Sequence, residues 1–173
     1  MKRLDDFGVL VVDMQSEFEE SMDNKEELIA SHKGIFEFAK ENNVPIFFLK
    51  YVNNGEIIPE INNLTSGYRN KKVIKKYAGD GFIRRYSHKK QQLQKESSLY
   101  LSLQKAGVKN LIISGVNRGV CVASTMNGAI DRGYDVFTAD DLMNKKGSGK
   151  RFFNEYSHYF NSYKDLIEFL KRD

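Results

Sequence analysis

Three kinds of side chain in this sequence sit where covalent chemistry can be done. The single cysteine, Cys121, comes after Leu111-Ile112-Ile113-Ser114 and the turn at residues 115–119. It opens Cys121-Val122-Ala123-Ser124-Thr125, which reads as the start of a helix. Unpaired N–H groups and partial positive charge at a helix N-terminus stabilise a thiolate, so this address predicts a lowered pKa. Asp13 stands directly after the aliphatic run Val9-Leu10-Val11-Val12. A carboxylate there can accept the proton of a neighbouring thiol as general base. Lys75 and Lys76 close Lys72-Val73-Ile74, and an ammonium group beside the other two would favour their ionised forms. Each has an ordinary explanation when taken alone. A free cysteine packs as a small hydrophobe, an aspartate after a strand caps a turn, and a lysine in a basic run is usually solvated.

The elements that must hold these residues follow from the apolar pattern. Short apolar runs alternate with amphipathic stretches. Residues 7–12, 44–49, 72–75, 111–114 and 134–139 read as strands, with a weak sixth at 159–161. Helices are expected at about 25–42, 95–106 (Leu99, Leu101 and Leu103 inward or nearly so), 119–132, 151–157 and 164–171. Gly107 and Gly133 stand where C-terminal caps belong. Residues 53–70 are polar and turn-rich, and read as a long loop. This rhythm predicts an α/β fold: a three-layer α/β/α sandwich on a mostly parallel sheet of five or six strands, Rossmann-like in connectivity. In such sheets ligands bind beyond the carboxyl ends of the strands. Asp13, the Lys75-Lys76 pair and residues 115–121 should then share one rim.

Composition bounds the rest. At 173 residues, the chain is expected to be one domain, residues 1–173. One cysteine excludes an internal disulfide framework and a cysteine-rich zinc site. The apolar share of 40% and the charged share of 29% exclude a disordered or membrane-spanning class. No apolar leader stands at the N-terminus, and a cytoplasmic location is expected. The net charge of +4 is concentrated: residues 69–90 hold nine Lys/Arg and one acid, Asp80. Such a stretch is usually a solvated surface, and no nucleotide-binding glycine motif or nucleic-acid module accompanies it.

Taken together, three segments resemble the isochorismatase-like cysteine hydrolases, a family that includes nicotinamidases and N-carbamoyl amidohydrolases. Val11-Val12-Asp13-Met14-Gln15-Ser16-Glu17-Phe18 is similar to the family's strand followed by Asp-x-Gln-x-x-Phe. Lys76 with Phe82 six residues on is similar to its strand-ending lysine, and this spacing selects Lys76 over Lys75. Gly115 through Cys121-Val122-Ala123-Ser124-Thr125, then Gly133-Tyr134-Asp135-Val136 and Asp140, resembles its Gly-x5-Cys-Val-x-x-Thr block and the strand after it. The likeness covers residues 7–140.

The resemblance implies roles. Cys121 is the expected nucleophile, Asp13 its proton acceptor, and Lys76 the group that keeps the pair charged and oriented. A cis peptide is expected at the Val116-Asn117 bond, aiming the Asn117 N–H at the same point as the Cys121 N–H to form an oxyanion hole. Phe18 and Phe82 are expected pocket walls. The implied reaction is hydrolysis of a C–N bond, amide or carbamoyl, in a small molecule through a thioester. The implied assembly is a homo-oligomer, a dimer or tetramer. Residues 52–70 hold no histidine or aspartate, and His32, His88 and His158 lack ligand spacing, so neither a metal nor another cofactor is expected. Asp80-Gly81 and Arg118-Gly119 depart from the family pattern. Asp80 is read as a second pocket carboxylate or a turn residue, and Arg118 as a contact for an anionic substrate group or a solvent-facing side chain. The alternatives are a catalytically degenerate binding protein of the same fold, and an anion- or nucleic-acid-binding protein using the basic stretch.

Overall fold

The computed structural model describes residues 4–83, 97–145 and 150–172. Six strands form one parallel sheet: β1 Phe7–Val12, β2 Ile46–Tyr51, β3 Lys71–Lys76, β4 Asn110–Gly115, β5 Asp135–Ala139 and β6 His158–Phe160. Their order is β3-β2-β1-β4-β5-β6, so the chain winds outward from β1, first one way and then the other. All six residues of β1 are buried, as a central strand covered on both faces requires. The switch in winding lies between β1 and β4, where ligands bind in open α/β sheets.

Helices cover both faces. α1 (Lys25–Glu41) and α6 (Tyr163–Lys171) bury Leu28, Ile35, Leu166 and Leu170 in one core with Val9 and Val11. α3 (Ser98–Lys105), α4 (Ala123–Ile130) and α5 (Lys150–Tyr156) bury Leu99, Leu103, Met126 and Phe153 in the other, with Leu10 and Val12. β1 thus sends alternate side chains to the two cores. Among the described residues, no helix is long and apolar enough to cross a membrane.

Two differences from the sequence reading have local causes. The stretch taken as a loop contains a short helix, α2 (Pro59–Leu64). It is mostly polar and buries only Ile61, so it carries no apolar periodicity, although proline at its first turn is a helix-start signal. Leu101 faces solvent at 55% exposure while Leu99 and Leu103 are sealed in, because a helix period puts only positions three or four apart on one face. Part of that expected helix, and four of the nine basic residues of the 69–90 stretch, lie in residues 84–96, outside the described residues.

The strands converge tightly at the rim. Gly115 pairs with Val12 and has φ +131°, and a Cβ there would sit 2.0 Å from the Val12 carbonyl oxygen. Only glycine fits both the angle and the gap. Gly115→Ala is expected to lower the unfolding free energy by about 2–4 kcal/mol, read as a fall in the urea midpoint.

Candidate active site

Immediately past β1, Asp13 turns the chain out of the sheet with φ +54°, a left-handed conformation that aspartate tolerates better than most residues. Its N–H donates to the Leu49 carbonyl at 3.0 Å, which anchors the turn to β2. Lys76 is the last residue of β3, two strands away. Its side chain crosses the end of β2 with Nζ 4.8 Å from the centre of the Tyr51 ring. There Nζ donates to the Gly79 carbonyl at 3.0 Å and stands 2.8 Å from Asp13 Oδ2. Both side chains are completely buried.

That ion pair is close but poorly aligned. Neither oxygen of the Asp13 carboxylate has a well-formed hydrogen bond among the described residues. Lone pairs therefore remain for a further proton donor, and the Cys121 thiol lies within reach. Burial pushes the Asp13 pKa above the ordinary carboxylate value, against the pull of Lys76. A base raised toward neutrality is better matched to taking a proton from a thiol.

Cys121 itself departs from expectation. Its address predicts an acidic thiol, yet its pKa is pushed up to about 11, first by burial, with Lys76 pulling down and Asp13 pushing up. Its backbone is also not that of a regular helix start. Residues Arg118–Val122 form a wide turn, and α4 begins only at Ala123. Burial therefore favours the neutral thiol over a standing thiolate.

The turn that carries Cys121 runs without a cis peptide, and none occurs among the described residues. The expected cis bond at Val116-Asn117 is therefore corrected to trans. The chain reverses instead through Gly115 and through Asn117, which takes the left-handed conformation at φ +60°, ψ +54°. The Asn117 carbonyl accepts the N–H groups of Val120 at 2.9 Å and Val122 at 3.3 Å, and passes over that of Cys121. Val116 is fully buried beneath the turn, and its N–H donates to the Val12 carbonyl at 3.0 Å.

Arg118 does not face solvent. It is 4% exposed, and its guanidinium pairs with Asp140 and donates to the Tyr159 hydroxyl, each at 2.8 Å. Its N–H donates to Asn144 Oδ1 at 3.0 Å, so the turn that carries Cys121 is held from both backbone and side chain. Asp80 is likewise a turn residue: its Oδ1 accepts the Phe82 N–H at 2.8 Å, and its carboxylate rests on Gly128, where a Cβ would collide with it at 2.4 Å. The two expected pocket walls are not brought together. Phe18 is half-buried against the core on the α1 face, whereas Phe82 lies on the α4 face against Tyr134 and under the Arg132 guanidinium. Phe82 has no exposed surface to offer a ligand.

Two residues given no role by the sequence reading belong to the site. Gln15, fully buried, donates to the carbonyls of Tyr51, Asn54 and Gly55 and accepts the Tyr51 N–H at 2.6 Å, clamping the end of β2 beneath Lys76. Thr125 ties α4 to the turn after β3. The available signal was helical spacing: Thr125, Gly128 and Arg132 follow Cys121 at intervals of four, three and four, one face of a helix. His32, buried and held neutral with a pKa lowered to about 4 by burial, bonds Ser114 Oγ at 3.0 Å and braces α1 against β4. Among the described residues no three His, Cys, Asp or Glu side chains gather as a metal ion would need.

Comparison with known proteins bears on this arrangement. A family model described as the isochorismatase domain matches residues 8–157. "Isochorismatase family protein 2A" of Dictyostelium discoideum is 27% identical over 139 residues, 78% of this chain and 64% of that protein. The chain thus spans less than two thirds of that relative's length. "Uncharacterized isochorismatase family protein YaaI" of Bacillus subtilis is 30% identical over 148 residues, 80% of each chain. Among solved structures, N-carbamoylsarcosine amidase from Thermoplasma acidophilum superposes with a TM-score of 0.71 at 17% identity, over 91% of this chain and 96% of that one. The MAR1 ribonuclease from Caenorhabditis elegans superposes at 0.75 and 17% identity, over 95% and 81%. At these identities the structures share the fold, and the two are named for different activities.

Proposed function

The chain belongs to the isochorismatase family of hydrolases, and from that premise we propose that it is a cysteine hydrolase that cleaves the C–N bond of a small amide or carbamoyl compound. The observation that carries the reading is the fully buried Lys76–Asp13 pair, 2.8 Å apart, with the Cys121 thiol beside it. A buried ion pair is weak support for stability, since desolvation offsets most of its attraction. Its value here is chemical.

The reaction runs in two halves. The Cys121 thiol gives its proton to Asp13 as sulfur attacks the carbonyl carbon and a C–S bond forms. Lys76 compensates the negative charge on the pair as the proton moves. Negative charge on the former carbonyl oxygen is received by the N–H of Cys121, which the Asn117 carbonyl leaves unclaimed. Asp13 returns the proton to the departing nitrogen, the C–N bond breaks, and ammonia or an amine leaves a thioester. Water, deprotonated by Asp13, then displaces the sulfur and restores the thiol. Phe18, half-buried at the rim, would line the substrate's path. The N-carbamoylsarcosine amidase likeness points to the same bond type. Assembly as a dimer or tetramer fits this reading without being required by it.

A second reading has one observation in its favour. Lys72 and Lys75 are exposed on β3, the sheet's edge strand, and a ribonuclease shares the fold. Phosphodiester cleavage would need neither a thioester nor Cys121. Ammonia release is therefore measured on a panel of small amides and N-carbamoyl compounds, alongside cleavage of single-stranded RNA, for the protein and Cys121→Ala. The expected result is ammonia release from at least one compound, lost in the variant. RNA cleavage that survives the substitution, with no ammonia released, would replace the first reading by the second.

A further inference from the structure

The turn after β3 lies along α4, and one hydroxyl joins them. Thr125 is fully buried. Its Oγ1 donates to the Gly79 carbonyl at 3.2 Å and accepts the Gly81 N–H at 3.1 Å, so the hydroxyl is used in both directions. The Gly79 carbonyl is the same oxygen that takes the Lys76 ammonium at 3.0 Å. Thr125 also lies one helical turn beyond Cys121. A continuous path therefore runs from nucleophile to lysine in which every link is a backbone turn or a hydrogen bond. Ser124 packs against Gly79 and Gly128 against Asp80, so the turn and the helix meet along about one turn of helix rather than at one point.

We propose that Thr125 is a positioning residue that fixes the Lys76 ammonium relative to the Cys121 sulfur by holding the Gly79 carbonyl between them. The proposal rests on Cys121 being the nucleophile. Lys76 comes from β3, two strands from Asp13, so β1 alone does not set its position. Its ammonium has two close oxygen partners, Asp13 and the Gly79 carbonyl, above the Tyr51 ring. Asp13 is itself poorly aligned with it. The Gly79 carbonyl is then the well-formed bond that orients the ammonium, and Thr125 sets where that carbonyl points. The charged and titratable groups facing Cys121 are Asp13 and Lys76, and those facing Lys76 are Asp13, Cys121, Tyr51 and Asp80.

The test needs no substrate. Cys121 is alkylated with iodoacetamide across pH 7–11 in the full-length protein and in Thr125→Val, Thr125→Ala and Thr125→Ser. Losing the hydroxyl loosens the ammonium and weakens its support of the thiolate. Val and Ala variants that hold their urea midpoints are expected to label about five- to tenfold more slowly at any fixed pH below the thiol pKa, with the whole profile moved to higher pH. Thr125→Ser, which keeps the oxygen, is expected to restore the wild-type profile. A purely packing role would lower the midpoint and leave the profile in place, which would overturn the proposal, as would failure of both Val and Ala variants to fold. If wild-type Cys121 is not labelled at any pH without denaturant, the nucleophile assignment fails first. If the wild type labels and the Val variant matches it, only the role of Thr125 falls.

Discussion

Asp13→Asn is expected to move turnover and thiol ionisation in opposite directions. Loss of the general base should lower kcat by about 10²–10⁴-fold on any amide the protein cleaves. Yet the same carboxylate is one of the groups that holds the Cys121 pKa up near 11. With the negative charge gone, Lys76 is left to pair with sulfur, and the thiol becomes more acidic. Below its pKa the thiolate fraction rises tenfold for each pH unit, so a lowered pKa gives faster labelling at every pH on that limb. Iodoacetamide labelling at pH 8–9 should accelerate by about three- to tenfold in the variant while turnover collapses. If both rates fall together, Asp13 supports the thiolate directly and the base assignment is wrong.

The second large effect belongs to stability. Lys76→Met removes the cation from a fully buried pair and leaves the Asp13 carboxylate without an opposite charge. Breaking such a pair from one side costs about 3–5 kcal/mol, whereas replacing both partners by neutral groups is often close to neutral. Urea unfolding at pH 7.5 should therefore show a deep loss for Lys76→Met and recovery of most of it in the Asp13→Asn/Lys76→Met double variant, with neither variant turning over substrate. The single variant should also regain stability on acidification. Burial already raises the Asp13 pKa, and losing Lys76 raises it further. A carboxyl with a folded-state pKa above its unfolded value holds its proton more tightly when folded. The deficit of the variant is then largest above that raised pKa and shrinks as pH falls through it toward 4. A deficit independent of pH, or one undiminished in the double variant, would show that packing of the lysine stem dominates.

The sequence made the backbone plan legible because the strands are continuous apolar runs and the cores are divided by simple alternation. Phe7–Val12 was read to the residue, and the rim followed from the carboxyl ends of the strands. The three candidate site residues could be named because each ends or follows a strand of that rim. What stayed hidden was the destination of side chains whose partners are distant in sequence. Arg118 could not be assigned until Asp140 and Tyr159 closed around it. Asp80 looked equally like a pocket acid and a turn residue until Gly128 was found to make room for it. The acidity of Cys121 was misjudged because helix-end electrostatics can be read from the chain while burial cannot, and burial is the larger influence. The polar helix Pro59–Leu64 escaped because it has almost no apolar face.

The strand order also governs when the protein becomes complete. β1 is the earliest of the six described strands along the chain and lies inside the sheet, yet one of its edges is covered by β4, whose pairing of Phe7 with Asn110 spans about a hundred residues. At a synthesis rate of about 5–20 residues per second, that edge waits roughly 5–20 s for its partner. In this interval β2 and β3 can dock on the other side, so a half-sheet bearing both Asp13 and Lys76 can form while Cys121 is still being synthesised. An unpaired apolar edge is where chains join one another in error. The closing of β1 by β4 is therefore one event with two results: it covers an apolar edge of the nascent sheet and brings the Cys121 turn to the strand that carries Asp13.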